Sequence, residues 1–322
     1  MKASHHMSVV PRTSRRTGRL LAAATALTLA LTLGASVAPA QANGIDTTSR
    51  QAVTSAYLTR YKPARATPIP ETGTVLDRCV TGTESAAVRN ATLSTVNFYR
   101  GMGGLDPVTF DAGLSAKAQK SALYMLANGY LTHHPSGGNC FSADVYDAAN
   151  NGNLTLFMGS GLRPAPGLYA GAAGPAAIDN YMVDEAANNH LVGHRRWVMH
   201  PGTRLMGTGS VHVAGTGSSN TLVVMGEGTE APVGGFANPA WVAWPTAGFF
   251  PQQLLPEPRW VQEDVSGPRM SLTADRAFGV DFSQARVTVT GPGGAPLPLT
   301  QRPASPGMGN DTLVWDLHAP SP

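Results

Sequence analysis

Between Thr81 and Asn128 apolar residues recur at the three-to-four-residue interval of a helix. Val88, Thr92, Val96 and Tyr99 share one face of a first predicted helix. It starts near Thr81, where Thr81-Gly82-Thr83-Glu84 reads as a capping box, and Gly101-Met102-Gly103-Gly104 stops it. A second helix is predicted from about Leu114 to Asn128, with Leu114, Ala118, Ala122 and Met125 aligned and Gly129 as its terminator. The link Leu105-Asp106-Pro107 is too short for another element, and 135–174 reads as loop. Gly174-Pro175 opens a third helix, with Ala177, Ile178, Tyr181 and Met182 on its apolar side. A short fourth helix around 189–200 must end by Pro201. The period then drops to two: Leu205 to Val213 and Thr221 to Gly226 read as strands, joined by a Gly/Ser-rich turn over Ala214 to Asn220.

Beyond 239 proline is dense, and short β-type runs follow at Met270 to Thr273, Arg286 to Thr290 and Thr312 to Trp315. Helices followed by a strand pair predict an α+β domain built in layers, with a small β-rich unit after it. The predicted organisation is a signal peptide over 1–42, a partly ordered leader or linker over 43–78, the layered domain over 79–238 and the β-rich extension over 239–322.

The signal-peptide reading rests on Arg12, Arg15, Arg16 and Arg19, the apolar run Leu20 to Val37, and Ala38-Pro39-Ala40 as a cleavage pattern. Ser14-Arg15-Arg16 leaves twin-arginine export open beside the general route, and the run also nears the length of a membrane anchor. Removal of 1–42 changes the charge. The chain holds 23 basic and 20 acidic residues, net +3, but Lys2 and the four arginines leave with the leader, so 18 face 20. No basic field remains for a phosphate backbone, which argues against a nucleic-acid partner. No second apolar span follows, so the processed protein is expected outside the cytoplasm and free of membrane spans. There the two cysteines, Cys79 and Cys140, are expected to pair.

Candidate chemistry concentrates in Asn189 to Pro201, which carries His190, His194, His200, Arg195, Arg196 and Trp197, with His133-His134 upstream. Imidazoles are the usual proton carriers and metal ligands near neutral pH. His190 and His194, at i and i+4, would share a face of a helix and could hold a divalent ion together. Leu191 stands where a zinc peptidase of the H-E-x-x-H kind needs its glutamate base. The alternative is architectural: His200 at a helix end, Trp197 and Val198 in the core, and Arg195 and Arg196 paired with Asp179, Asp184 or Glu185. No G-x-S-x-G elbow and no phosphate-binding glycine loop is present.

In order along the chain, Asn97-Phe98-Tyr99-Arg100 with Gly104-Leu105, then Leu114 to Gln119, Leu131-Thr132-His133-His134, Val192 to Trp197 and Leu205 to Gly209 resemble the motifs of the CAP superfamily. That superfamily groups cysteine-rich secretory proteins, venom antigens and pathogenesis-related proteins, and the resemblance covers about 80–228. It implies a secreted three-layer α-β-α fold with a central cleft. There, many members place two histidines and two acids around a divalent metal such as zinc. By motif His134 and His194 would be the histidines, with His133 competing for the first role, and Asp184 would be one acid. The other acid's position falls on Gly152, which removes the likeliest general base. Two imidazoles and Asp184 still make the three protein ligands a zinc site needs. The resemblance implies no single reaction. The expectation is a non-enzymatic binding protein for a small apolar or cell-envelope ligand, with a metal-dependent extracellular hydrolase of peptide or cell-wall material as the alternative. In a third reading the histidines are a hydrogen-bonded pair that only fixes the cleft.

Overall fold

The computed structural model describes residues 44–159, 171–184, 189–226, 229, 239–255, 268–274, 280–304 and 309–318. The signal peptide expected over 1–42, and Glu185 among the candidate partners, lie outside these residues. In chain order, α1 (Arg50–Ala56) continues through a π-helical turn (Tyr57–Tyr61) into α2 (Lys62–Arg65), followed by α3 (Ala86–Met102), β1 (Thr109–Phe110) and α4 (Ala112–Asn128). Then come α5 (Ala143–Asn150), β2 (Gly152–Met158), α6 (Pro175–Val183), α7 (Gly193–Val198), β3 (Leu205–Val213) and β4 (Gly217–Val223). The C-terminal part holds β5 (Trp241–Trp244), β6 (Arg269–Ala274), β7 (Val289–Thr290), β8 (Pro296–Leu297), β9 (Leu299–Gln301) and β10 (Thr312–Leu317).

The first sheet runs β1-β3-β4-β2, parallel only between β1 and β3. Its two faces are covered by different helices, which follows from the two-residue period of a strand. Met206 and Leu222 join the core shared with Val96 and Tyr99 of α3 and Ile178 and Tyr181 of α6. Val211 and Val223 face Ala118, Ala122 and Leu123 of α4. Gly207 and Gly209 let α4 lie directly on β3. A Cβ on Gly207 would sit 2.4 Å from the Leu114 carbonyl carbon, and one on Gly209 would sit 2.1 Å from Gln119 N. The layered α+β arrangement matches the sequence reading.

Several elements differ from that reading, each for a physical reason. Ser85, not Thr81, caps α3: its hydroxyl accepts from Val88 N, and Thr81 lies in the extended segment before the helix. The 135–174 stretch contains α5 and β2, where loops were expected, since Asn and Gly crowd their junction and mask the short periodic runs. β1 has only two residues, below any sequence signal. β4 begins at Gly217 inside the supposed turn, because Ser218, Ser219, Asn220 and Thr221 are fully buried polar residues of a central strand. They are satisfied by one another and their neighbours. Asn220 Nδ2 lies 3.0–3.1 Å from Thr208 Oγ1, the Gly209 carbonyl and Ser210 Oγ, and Ser219 Oγ donates to Ala122 O at 2.7 Å.

The expected partly ordered leader is also helical from Arg50, with Val53, Ala56 and Tyr61 in the main core. Pro63 sits inside this helix and has no N–H to give. Its ring crowds the carbonyl four residues back, so the helix widens into the π turn beside it. The segment is held by Asp179 of α6, wholly buried. Tyr99 Oη donates to Asp179 at 2.6 Å, Tyr61 Oη at 3.1 Å, and Arg65 Nε lies 2.5 Å from Oδ2. Burial pushes this carboxyl up to about 6 against the pull of Arg65 and the two hydroxyls. Arg100 of α3 is equally buried and donates to the carbonyls of Asp106, Val198, His200 and Thr203, which fastens the chain around α7. Burial lowers its pKa to about 9.

The second sheet runs β5-β6-β10-β9, with β7-β8 as a small hairpin. β5 serves two cores by alternation. Val242 and Trp244 enter the main core, where Trp244 meets Tyr99 at 5.3 Å between ring centroids, while Trp241 packs on Phe282 of the second core. The Cys79–Cys140 disulfide is formed, with a Cα–Cα distance of 5.2 Å. Closing a loop of this length stabilises the fold by about 4 kcal/mol in the chain-entropy description.

Replacing Asp179 by Ala strips three donors of their acceptor and leaves Arg65 without a counter-ion. The expected loss is about 3 kcal/mol, the lower end for a broken buried pair, because Arg65 keeps 20 % exposure and can turn to water. Tyr99→Phe, losing one hydrogen bond, should cost about 1–2 kcal/mol. Urea unfolding measures both, and equal effects would show that the tyrosine contact and not the ion pair holds the N-terminal helix.

Candidate functional site

The end of α6 and the start of α7 are built around one carboxylate. α6 stops at Asp184, which adopts the left-handed conformation at φ 53°. This is uncommon for a residue with a side chain, and here the side chain is fully engaged. Its Oδ1 accepts from His194 Nδ1 at 2.9 Å and from Asn189 Nδ2, and its Oδ2 accepts from Arg195 N at 3.1 Å. Asn189 Oδ1 in turn accepts from Gly193 N at 3.2 Å. Asp184 therefore satisfies a free N–H of the first turn of α7, which a carboxylate at a helix N-terminus favours.

His194 is held on three sides. Asp184 takes Nδ1, the ring lies against Tyr181 at 5.3 Å between centroids, and its carbonyl accepts from Asn153 Nδ2 at 2.9 Å. The side chain keeps 28 % exposure, and with Nδ1 committed, Nε2 is the nitrogen left for a ligand. Burial works against its charged form, but the Asp184 charge and hydrogen bond outweigh it and raise the pKa above 6.5. His133 differs. Its Nδ1–H donates to Ala149 O at 2.8 Å, which leaves Nε2 as a lone-pair acceptor. Burial lowers its pKa first; the Ala149 bond opposes this, and the charges of His194 and His134 lower it further. The two imidazoles sense each other, with one biased toward the proton and the other away from it.

Residues 93–225 match the family model described as the cysteine-rich secretory protein family, CAP. These residues form a CAP domain. No curated protein matches the sequence.

Within the CAP domain the expected residues separate. Asp184 and His194 are brought together. His133 and His134 are both exposed; His133 is the one whose proton affinity responds to His194, while the backbone N–H of His134 donates to the Thr132 hydroxyl at 3.1 Å. His190 stands on an exposed turn before α7, so it shares no helical face with His194. The helix cannot extend back to it, because Val192 takes a left-handed conformation at φ 48°.

Among the described residues no group of three or more His, Cys, Asp or Glu side chains is placed to hold a metal. Asp184 spends both oxygens supporting His194 and α7, so a zinc site of His134, His194 and Asp184 does not fit. Gly152, at the position of the absent family acid, is closed to any side chain. A Cβ there would lie 2.6 Å from Ala148 O and 3.2 Å from Leu222 O.

Arg195 turns its guanidinium toward the end of α6 and toward strand β6. It donates to the carbonyls of Met182, Val183 and Arg269 and to Ser271 Oγ, at 2.6–3.2 Å. Asp179 belongs to the Arg65 and tyrosine cluster instead. Strand β6 thus forms a wall of the CAP site that no sequence motif announced. Arg269 also donates to the Asp184 and Asn189 carbonyls at 3.3 Å, with Nε held by Asp316 at 2.7 Å.

The opposed shifts give a titration test with a worked sign. A raised histidine pKa adds stability that is complete below 6.5 and fades as pH rises through the folded value. A lowered one costs stability below 6.5, which returns as pH rises. Histidine ring-proton NMR should place His194 above 6.5 and His133 below it. In Asp184→Asn the His194 midpoint should fall. In His194→Gln the loss of stability between pH 6.5 and 8.5 should be smaller than in the parent. A His194 midpoint unchanged by Asp184→Asn would remove the pair from the argument.

Proposed function

We propose that this chain is an extracellular binding protein whose CAP domain receives a small apolar or cell-envelope-derived ligand beside His133 and His194. The basic, apolar and small-residue pattern of 1–42 supports export, as do the Cys79–Cys140 bond and the family assignment. No described helix is long and apolar enough to cross a membrane.

The observation that carries the binding reading is the closed position at Gly152. The acid that would complete a catalytic set has no room, and Asp184 is consumed in holding His194 and the first turn of α7. What remains is a fixed, partly exposed imidazole suited to hydrogen-bonding a ligand's polar end. The apolar end finds support in the neighbouring chain. Tyr130, Leu131, Phe141, Tyr146 and Met158, five of the eight large exposed hydrophobic side chains described, fall in the same 130–158 stretch as His133. Single exposed apolar residues are ordinary, and these are the apolar groups that this stretch offers to a ligand.

One observation favours the rival, an extracellular metal-dependent hydrolase of peptide or cell-wall material. Neighbouring groups with pKa values pushed apart are the usual arrangement of a general acid and base. Against it stands the lack of a three-ligand metal group among the described residues.

Isothermal titration of the processed protein against fatty acids, a sterol, cell-wall fragments and zinc separates the two. Binding of one apolar or envelope compound, weakened about tenfold or more by His194→Ala with zinc silent, is the expected result. Silence across the panel would end the ligand reading. Hydrolysis that a chelator abolishes, and that His133→Ala and His194→Ala each remove, would establish the rival.

A further inference from the structure

At the free edge of β3, where β1 stops after two residues, a cavity of about 370 Å³ opens between the 81–84 segment and α4. Its lining shares no residue with the His133, Asp184 and His194 group. Glu84 lines it with a side chain only 2 % exposed. Neither Glu84 oxygen has a hydrogen-bond partner among the described residues, and neither does Arg89 Nε. The Ser210 hydroxyl is near enough to favour the charged form but is not in bonding geometry. Arg89 Nε stands 3.7 Å from Glu84 Oε2, too far for a direct hydrogen bond. Buried donors and acceptors left this way are costly.

These three atoms are closed to solvent, so a ligand reaches them as the Arg89 side chain, 43 % exposed, swings outward, and the space so opened specifies what would fill it. A group that accepts from Arg89 Nε–H and donates to the Glu84 carboxylate must be both acceptor and donor, which describes a hydroxyl. An ammonium cannot accept from arginine, and a carboxylate cannot donate to glutamate. The rest of the lining agrees with a neutral, hydroxyl-rich ligand. Ser115, Thr208 and Gln119 add polar atoms, Phe110 adds an aromatic side, Arg89 stands beside Glu84, and Lys120 is held by Asp144 outside the lining. Gln119 spends its amide nitrogen on the Thr81 and Ser210 carbonyls, which leaves Oε1 as an acceptor.

We propose that this cavity is a second binding site, for a neutral polyhydroxylated ligand of sugar type, with one ligand hydroxyl bridging Arg89 and Glu84. The site does not depend on the reading of the histidine cleft. Because burial pushes the Glu84 carboxyl up to about 6, binding weakens as pH falls through that value, by about tenfold at pH 5 relative to pH 7.5.

The test is a calorimetric titration of the processed protein with glucose, galactose, N-acetylglucosamine and myo-inositol, with the Arg89 Nε–H resonance followed in parallel in the parent and in Glu84→Gln. Methylammonium and acetate serve as charged controls. One of the neutral polyols should shift that resonance and saturate. Glu84→Gln and Arg89→Lys should each weaken binding at least tenfold, while His194→Ala leaves it unchanged. Glu84→Gln removes a buried charge and keeps the shape, so it is expected to fold. If methylammonium alone binds, the site takes cations and the proposal is wrong. If none of the probes moves the resonance up to 100-fold molar excess, or if both variants bind as the parent does, the cavity holds only solvent and the proposal is overturned.

Discussion

The Asp184 carboxylate is the contact on which the candidate site depends. It joins the end of α6, the 189–192 turn, the first turn of α7 and the His194 ring, and its own backbone carbonyl receives Arg269 of β6. A buried charge is tolerated only when its lone pairs are met, and here imidazole, amide and peptide N–H meet them. The same requirement explains why Asp184 accepts a left-handed backbone: the turn that strains the residue also aims its oxygens at α7. His194 inherits its orientation, its tautomer and its raised proton affinity from this one group, so the site's chemistry is set a residue away from where a ligand would touch.

Several of this protein's charges are buried. Only 13 % of its residues are charged, yet Arg100, Asp179, Asp184, Arg195, Arg269 and Asp316 are all buried. Most of these link segments far apart in sequence, and in most cases the arginines address backbone carbonyls. Arginine suits this use because its planar fork offers five donors and stays charged when desolvated. Such contacts are weak sources of net stability against a well-packed apolar alternative, but they fix which carbonyls meet, and therefore how α7 sits against α3 and β6. Glu84 departs from the pattern as a buried acid whose carboxylate oxygens have no hydrogen-bond partner among the described residues.

The sequence made some of this visible and hid the rest for identifiable reasons. α4 and β3 were legible because long periodic runs leave clear patterns, and Gly129, Gly207 and Gly209 mark a helix stop and a close helix–strand contact. β4 was half-hidden because Ser218 to Asn220 look like a turn until the two flanking strands are known to satisfy them. The helix at Arg50–Arg65 was hidden by Pro63 and by having few apolar residues, whose burial depends on Asp179 more than 110 positions later. In the site, Asp184 and His194 were legible from motif order. His133 and His134 could not be separated, since one residue of register decides which ring reaches Ala149 O. Arg269 and Ser271 gave no signal at all, because nothing local distinguishes a strand arginine that will close a distant cleft.

That last point changes how the C-terminal sheet is understood. Read as sequence, it is a separate β-rich extension after the layered domain. In the fold, Trp244 is packed on Tyr99 in the main core, and Arg195 reaches across to Arg269 O and Ser271 Oγ. Arg269 is in turn clamped by Asp316 of β10, which also holds Arg302 at 2.5 Å. The interior of the sheet is thus tied by charge to the turn that carries His194. A ligand at the histidine cleft would meet a surface supported from both units, and a change in β10 that releases Asp316 would be felt first at the Asp184 and Asn189 carbonyls. The extension is packed into the CAP domain and is not a separate appendage to it.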